Sequence, residues 1–148
     1  PTRMSPKISS WLLLRLAVLL AVLLLQSSEG ARYRDFARKH IDHPQTQAAN
    51  ANAYCNLMMQ RRGMMRRTCK RTNTFIHSSP GSIQHICRGG GTKVPRTRDR
   101  YDSRRRYRVT LCRSRGRYPN CNYRGRRQNR RVRVSCVNRM PVHLAGLR

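Results

Sequence analysis

The chain opens with an apolar block and continues as a much more polar, patterned sequence. Residues 16–25 are uninterruptedly apolar (LAVLLAVLLL), with Lys7 and Arg15 before them and the segment QSSEG after them. A basic start, a short apolar run and small residues before a cleavage point are typical of a secretory signal peptide. We therefore predict that residues 1–30 are removed and that the mature protein begins at Ala31.

A membrane anchor is the alternative interpretation of this block. The apolar segment 11–25 has 15 residues and contains Arg15, whereas a helix needs about 20 residues to span a bilayer. The signal peptide is therefore favoured, with Met4 as the initiator and residues 1–3 lying upstream of it. Residues 31–148 are long enough for one domain.

Helical periodicity is found at the start of this domain. Four residues recur at the i, i+3, i+4 and i+7 spacing of one helix face: Tyr33, Phe36, Ala37 and His40. This spacing predicts a short helix over residues 31–40 with His40 on its buried face. Pro44 ends the helix soon afterwards, because a residue before proline is disfavoured in helical geometry. Residues 47–60 are rich in alanine, leucine and methionine and predict a second helix.

The second half of the chain has the pattern of strands. Residues 72–77 are rich in β-branched and aromatic side chains, which indicates a strand. A turn or short helix at 78–84 and a flexible loop at 88–95 follow. Alternating apolar and polar or basic positions predict later strands at residues 107–112, 122–123, 131–137 and 142–144. Helices followed by strands indicate an α+β domain with an antiparallel sheet.

The charge of the chain makes covalent restraint necessary. The formal net charge is +28, and removing residues 1–30, with three cations and one glutamate, leaves +26. Repulsion at this density destabilises a compact state. Residues 31–148 contain six cysteines that could stabilise the domain against this repulsion: Cys55, Cys69, Cys87, Cys112, Cys121 and Cys136. An even number in a small secreted domain predicts three disulfides, in any of 15 connectivities.

Metal-dependent chemistry is disfavoured by the same residues. Cys112 and Cys121 are the cysteines closest in sequence, too far apart for a zinc-binding C-x₂₋₄-C pair. Only four aspartates remain after processing, which disfavours a carboxylate-pair hydrolase or a two-metal nuclease. No metal or cofactor is therefore expected. Histidine, which titrates near neutrality, is the alternative acid–base group, with five candidates: His40, His43, His77, His85 and His143.

One segment resembles a family signature. Residues 69–75 (CKRTNTF) are similar to the C-K-x-x-N-T-F signature of the pancreatic ribonuclease superfamily, and further matching segments follow the family order: FARKH, YCN, YPNCNY and PVHL. The resemblance covers residues 31–148 and is closest to the three-disulfide, angiogenin-like members. It implies a ribonuclease A-like fold, with N-terminal helices packed on a bent antiparallel sheet. It also implies the pairs Cys55–Cys112, Cys69–Cys121 and Cys87–Cys136.

The resemblance also implies a metal-independent RNA endonuclease. His40 is then the general base for a ribose 2′-OH, and His143 is the general acid for the leaving 5′-oxygen. Lys70 stabilises charge in the transition state, and Thr74 faces a pyrimidine base. The other implied substrate contacts are Lys39, Asn73 and Leu144.

The sequence departs from the family pattern beside these positions. Lys39 replaces a usual glutamine, so we expect tighter phosphate binding and a lower pKa for His40 through like-charge repulsion. Ala145 replaces the aspartate that orients the second histidine, so we expect a lower rate from looser positioning. Gly146 stands where angiogenins carry a blocking glutamine, which predicts an open base pocket.

A basic stretch, residues 58–70, resembles the nuclear-targeting segment of angiogenins. Its candidate core is Arg61, Arg62 and Gly63, and such clusters are hypotheses for localisation. A solvated basic face that follows RNA phosphates is the alternative. We therefore expect a secreted, extracellular protein, with uptake into the nucleus or nucleolus as a further hypothesis.

Two other classes of function compete with RNA cleavage. A cationic antimicrobial protein would act on anionic bacterial membranes independently of catalysis. An angiogenin-like growth signal is less favoured, because residues 88–111 differ from the receptor loop of angiogenins. RNA is the expected partner of a monomer, and anionic membranes, heparin-like polyanions and the ribonuclease inhibitor are further candidates.

Overall fold

The computed structural model describes residues 7–148. Three α-helices form, namely α1 (Ser10–His40), α2 (Ala51–Arg61) and α3 (Pro80–His85), and an irregular helical turn, Ile86–Gly90, continues α3. Seven strands follow or alternate with them: β1 (Thr72–Ile76), β2 (Gly91–Lys93), β3 (Arg100–Ser103), β4 (Tyr107–Ser114), β5 (Tyr123–Arg130), β6 (Val132–Val137) and β7 (Met140–Leu147). The predicted α+β class is confirmed.

The strands make two antiparallel sheets, with the orders β1-β4-β5 and β2-β3-β6-β7. In the first sheet Thr74 lies opposite Leu111, and in the second Ser135 lies opposite His143. Helix α1 packs against β7 and β1, whereas α2 packs against β5 and β4. The end of α1 therefore lies beside one strand from each sheet.

Two apolar clusters hold these layers together. One joins α1 and α3 to the strands and includes Phe36, Ile76, Ile83 and Val134. The other lies under α2 and includes Tyr54, Met58, Met59, Phe75 and Tyr123. Burial of a large apolar side chain contributes about 1.5–3 kcal/mol, so both clusters fix the positions of the helices on the strands.

Three disulfides link the elements that these clusters bring together. They are Cys55–Cys112, Cys69–Cys121 and Cys87–Cys136, which are the pairs that the family resemblance implies. Their partners are separated by 57, 52 and 49 residues. Closing a loop of this length in the unfolded chain corresponds to about 4 kcal/mol per bridge in a chain-entropy account. The bridges therefore oppose the repulsion among the cations.

Helix α1 is longer than predicted, because it begins at Ser10 and not at Ala31. The preceding segment is rich in leucine and alanine, which are strong helix formers, so the helix continues through it. Its apolar side chains are exposed, and the helix is long and apolar enough to cross a membrane, as a signal sequence near the N-terminus also is. Cleavage before Ala31 stays a prediction, and Met4 and residues 1–3 lie outside the described residues.

The observed strands also differ from the predicted ones in the most polar parts of the chain. Only residues 122–123 were expected to be extended there, yet β5 runs from Tyr123 to Arg130, and β3 was not predicted. Strand β5 lies at a sheet edge and pairs with β4 alone. Because its sequence YRGRRQNR has no apolar alternation, hydrophobic periodicity gave no signal for it. Strand β2 lies inside the predicted flexible loop 88–95.

Candidate active site

One cleft contains every residue that the sequence predicted to act on substrate. It encloses about 410 Å³ between the end of α1, β1 and β7. The predicted residues that line it are Lys39, His40, Lys70, Asn73, Thr74, His143 and Leu144. Segments far apart in the chain thus meet in one place, and the two proposed acid–base groups share the cleft with the proposed cation.

His40 is the last residue of α1, and only 9% of it is exposed. Its Nδ1 lies 2.8 Å from the backbone oxygen of Thr74. Because a carbonyl oxygen can only accept a hydrogen bond, Nδ1 carries the proton and donates it. The neutral imidazole therefore keeps its Nε2 lone pair for another proton.

The surroundings of His40 favour the neutral imidazole. Burial lowers its pKa from 6.5 to about 4, and the hydrogen bond to Thr74 opposes this shift. Positive charge on Lys70, Lys39 and His143 contributes the smaller part of this lowering. The expected effect of Lys39 is present, but it is smaller than the effect of burial.

Lys70 is held close to the end of α1 by a buried amide. Its Nζ donates to Oδ1 of Asn73 at 3.0 Å, and Nδ2 of Asn73 donates to the backbone oxygen of Lys39 at 2.8 Å. Burial, followed by the charge of Lys39, lowers the pKa of Lys70. Since both ends of the Asn73 amide contact protein atoms, Asn73 links the cation to the helix that carries His40.

His143 reaches the cleft from β7, opposite Ser135. It is exposed, and within residues 7–148 no hydrogen bond to its ring is found. Ala145 offers no polar side chain to orient it. A β-carbon built on Gly146 would meet no heavy atom within 4 Å, so the space beside this position is open. The role of His143 as the acid and the open base pocket stay predictions.

Comparison with known proteins decides the family. A sequence profile described as pancreatic ribonuclease matches residues 31–145. The chain belongs to the pancreatic ribonuclease family. The predicted resemblance is therefore confirmed.

Several members of this family are similar over most of their length. A ribonuclease of Chelydra serpentina is 45% identical over 114 residues, covering 76% of this chain and 94% of that protein. An angiogenin of Gallus gallus is 39% identical over 132 residues, covering 88% and 91%. The crystal structure of green turtle egg white ribonuclease has 42% identity and a TM-score of 0.76, and the match covers 79% of this chain and 98% of that one.

Asp35 is a cleft residue that was not predicted from the sequence to belong to the site. Its carboxylate lies 2.7 Å from Nζ of Lys39 and 2.7 Å from Nη2 of Arg38. Hydrogen bonds from Lys39 and then Arg38 hold the pKa of Asp35 below its ordinary value. The i, i+3 and i, i+4 spacing of these residues on α1 was the signal that could have identified the contacts.

This protein also has a cationic groove that continues from the cleft. It encloses about 680 Å³ and shares residues 72–74 with the cleft. Four arginines line it: Arg113, Arg115, Arg124 and Arg126. None of the four forms an ion pair within residues 7–148. The groove therefore presents uncompensated positive charge next to Thr74.

The candidate nuclear-targeting residues have different environments. Arg61 is exposed at the end of α2, whereas the guanidinium of Arg62 folds back onto the end of α1. It donates to the backbone oxygens of Arg38 at 2.7 Å and Ile41 at 2.9 Å. Gly63 has a φ of +75°, a left-handed conformation that favours glycine. Arg62 and Gly63 thus contribute to the fold itself.

The other histidines lie outside the cleft. His77 is held by the backbone oxygen of Asp42 at 3.1 Å and by Oγ1 of Thr110 at 2.8 Å. Burial lowers its pKa. His43 and His85 are exposed on the surface. The structure therefore separates His40 and His143, which share one cleft, from the three histidines that do not.

Proposed function

We propose that the protein is an endoribonuclease that cleaves RNA through the ribose 2′-oxygen. The meeting of His40, Lys70 and His143 in one cleft carries this proposal. Membership in the pancreatic ribonuclease family supports it. Two imidazoles and one fixed cation are sufficient for the proton transfers and the charge stabilisation of this reaction.

In the proposed mechanism His40 begins as the neutral base. Its Nε2 takes the proton of the 2′-OH, and the 2′-oxygen then attacks the adjacent phosphorus. Lys70 stabilises the added negative charge on the phosphate oxygens. Protonated His143 donates its proton to the 5′-oxygen as the bond from phosphorus to that oxygen breaks. The products are a 2′,3′-cyclic phosphate and a free 5′-hydroxyl, and a strand without 2′-OH groups cannot react.

Binding of the RNA strand is assigned to the cationic groove beside the cleft. Arg113 lies directly opposite Arg124 in the β4–β5 pair. Like charges in such positions destabilise a sheet, so a bound phosphate would relieve repulsion that the folded protein otherwise retains. We infer steep salt dependence, about 0.7 log unit of affinity per log unit of salt for each phosphate bound in a single strand.

Preference for pyrimidines is the finer part of the proposal. Thr74 lines both the cleft and the groove, and its backbone oxygen holds His40. A base that contacts Thr74 would therefore lie next to the reacting 2′-oxygen. The open space beside Gly146 supports access of the base to this position.

Dinucleotide cleavage tests the reaction and the preference together. We expect the mature protein to convert a uridine-containing dinucleotide to a cyclic phosphate faster than its adenosine counterpart. Lys70→Ala should reduce kcat/KM by about 100-fold or more, because a positioned charge contributes most in the transition state. The reduction should persist at high salt. Cleavage of a 2′-deoxy dinucleotide, or no cleavage of either ribonucleotide, would contradict the mechanism.

The biological setting that we propose is extracellular, after removal of residues 1–30. A relative of known structure is an egg white ribonuclease, which supports secretion. A second candidate function, killing of bacteria at their anionic membranes, is favoured by the exposed arginines of β5: Arg124, Arg126 and Arg127. Such a surface attracts anionic lipids whether or not the cleft is active.

A further inference from the structure

The cleft is cationic except at one position. Among the described residues that line it, Asp35 is the only one with a carboxylate. Lys39, His40, Lys70 and His143 contribute the groups that are or can become positive. The carboxylate of Asp35 is thus a negative charge at a place where an RNA phosphate would be expected to bind.

Asp35 neutralises a cation that otherwise faces the cleft. Its Oδ2 lies 2.7 Å from Nζ of Lys39, and its Oδ1 lies 2.7 Å from Nη2 of Arg38. About half of the Asp35 side chain is exposed, so solvent and ligands reach this carboxylate. Exposed ion pairs of this kind contribute little to stability, and the fold therefore does not account for a carboxylate at this position.

We propose that Asp35 is a specificity-determining residue that acts as an internal competitor for RNA phosphate beside Lys39. This inference rests on the proposed RNA-binding function. While Asp35 and Lys39 are ion-paired, the carboxylate neutralises the ammonium of Lys39 and repels a phosphate that approaches it. An RNA strand that lies along α1 must therefore displace Asp35 before Lys39 can contribute to binding.

The competition affects long substrates more than short ones. Asp35 lies one helical turn, about 6 Å, behind Lys39 along α1 and therefore away from His40. A dinucleotide has a single phosphodiester, which the reaction itself places between His40, Lys70 and His143. A longer strand adds phosphates beyond the scissile one, and a strand that follows α1 brings them closest to Asp35. The carboxylate thus lowers affinity for polymeric RNA relative to the shortest substrate.

Asp35→Asn tests this inference in the mature protein. The ligand is a fluorescein-labelled 2′-deoxy-oligouridylate of eight nucleotides, whose binding is followed by anisotropy from low to high salt. We expect about fivefold tighter binding at low salt, the size of one exposed charge interaction at about 4 Å. The slope of log affinity against log salt should steepen by about 0.7, because Lys39 gains one phosphate.

Two further variants make the result specific. Asp99→Asn changes the net charge equally but lies outside the cleft, so it should leave the salt slope unchanged. Lys39→Gln in the Asp35→Asn background should remove the added slope. An unchanged or weaker affinity of Asp35→Asn would overturn the inference, as would equal tightening by Asp99→Asn.

The cleavage and binding measurements distinguish a failure of the proposed function from a failure of the proposed competition. The 2′-deoxy strand cannot be cleaved by the proposed reaction, so its binding is measured whether or not the protein is an enzyme. Absence of the cyclic phosphate product from uridine-containing RNA would reject the enzyme. An unchanged salt slope for Asp35→Asn would reject only the competition.

Discussion

Acid titration of the folded protein should reveal how strongly His40 is buried. The residue is 9% exposed, and burial is the largest cause of the fall in its pKa from 6.5 to about 4. At about 1.4 kcal/mol per pH unit, the difference between these values corresponds to about 3 kcal/mol of unfolding free energy. Because so little of the ring is exposed, solvent screening reduces this figure only slightly.

The direction of the effect follows from proton binding. The native protein binds the His40 proton only near pH 4, whereas the unfolded chain binds it near pH 6.5. Between these values the unfolded chain holds more protons, so the free energy of unfolding falls as the pH is lowered. Asp35 and Asp42, whose pKa values lie below 3.8, keep their contributions through this window. His77 acts in the same direction as His40.

Urea unfolding of the mature protein and of His40→Gln, between pH 7 and pH 4, measures this contribution. Glutamine keeps an amide donor for the backbone oxygen of Thr74 but does not titrate. His77 is present in both proteins, so its effect cancels in the comparison. We expect the wild-type protein to lose about 3 kcal/mol more than the variant by pH 4. Parallel pH dependences would refute the burial argument.

Two other predictions concern arginine and the second candidate function. Arg62→Met should lower the unfolding free energy by about 1–3 kcal/mol, since its guanidinium bonds backbone oxygens at the end of α1. The matched Arg61→Met should change it by less than about 0.5 kcal/mol, and equal losses in urea unfolding would show that these contacts contribute nothing. His40→Ala should lose RNA cleavage yet retain bacterial killing if killing acts at the membrane. Killing that falls in step with cleavage would exclude that mechanism.

The sequence predicted which residues line the cleft, but it did not predict the main cause of the lowered His40 pKa. The apolar spacing around His40 placed it on the buried face of α1, and the CKRTNTF motif identified Lys70, Asn73 and Thr74. The depth of burial was not predictable, because it depends on packing between α1, β1 and β7. Burial is nevertheless the largest cause of the lowered His40 pKa, whereas the sequence indicated only like charge from Lys39.

Long-range polar contacts were the other part that the sequence did not predict. The guanidinium of Arg62 bonds backbone oxygens more than twenty residues earlier in the chain, at Arg38 and Ile41. A run of basic residues gives no signal for such a contact, so Arg62 was grouped with the exposed Arg61. Most of strand β5 was not predicted for a related reason. An edge strand rich in arginine lacks the apolar alternation that marks a half-buried strand.

The causes of the His40 shift also determine how substrate binding would change it. A bound phosphate offsets the positive charges of Lys70 and Lys39, but it does not expose the imidazole to bulk water. Because burial is the larger cause, bound RNA would restore only part of the basicity that His40 has in water. The proposed base therefore remains weak but unprotonated at neutral pH, and catalysis must depend on the placement of its Nε2 lone pair. The hydrogen bond from Nδ1 to Thr74 fixes that placement, which makes the end of α1 as important to the proposed reaction as the histidine itself.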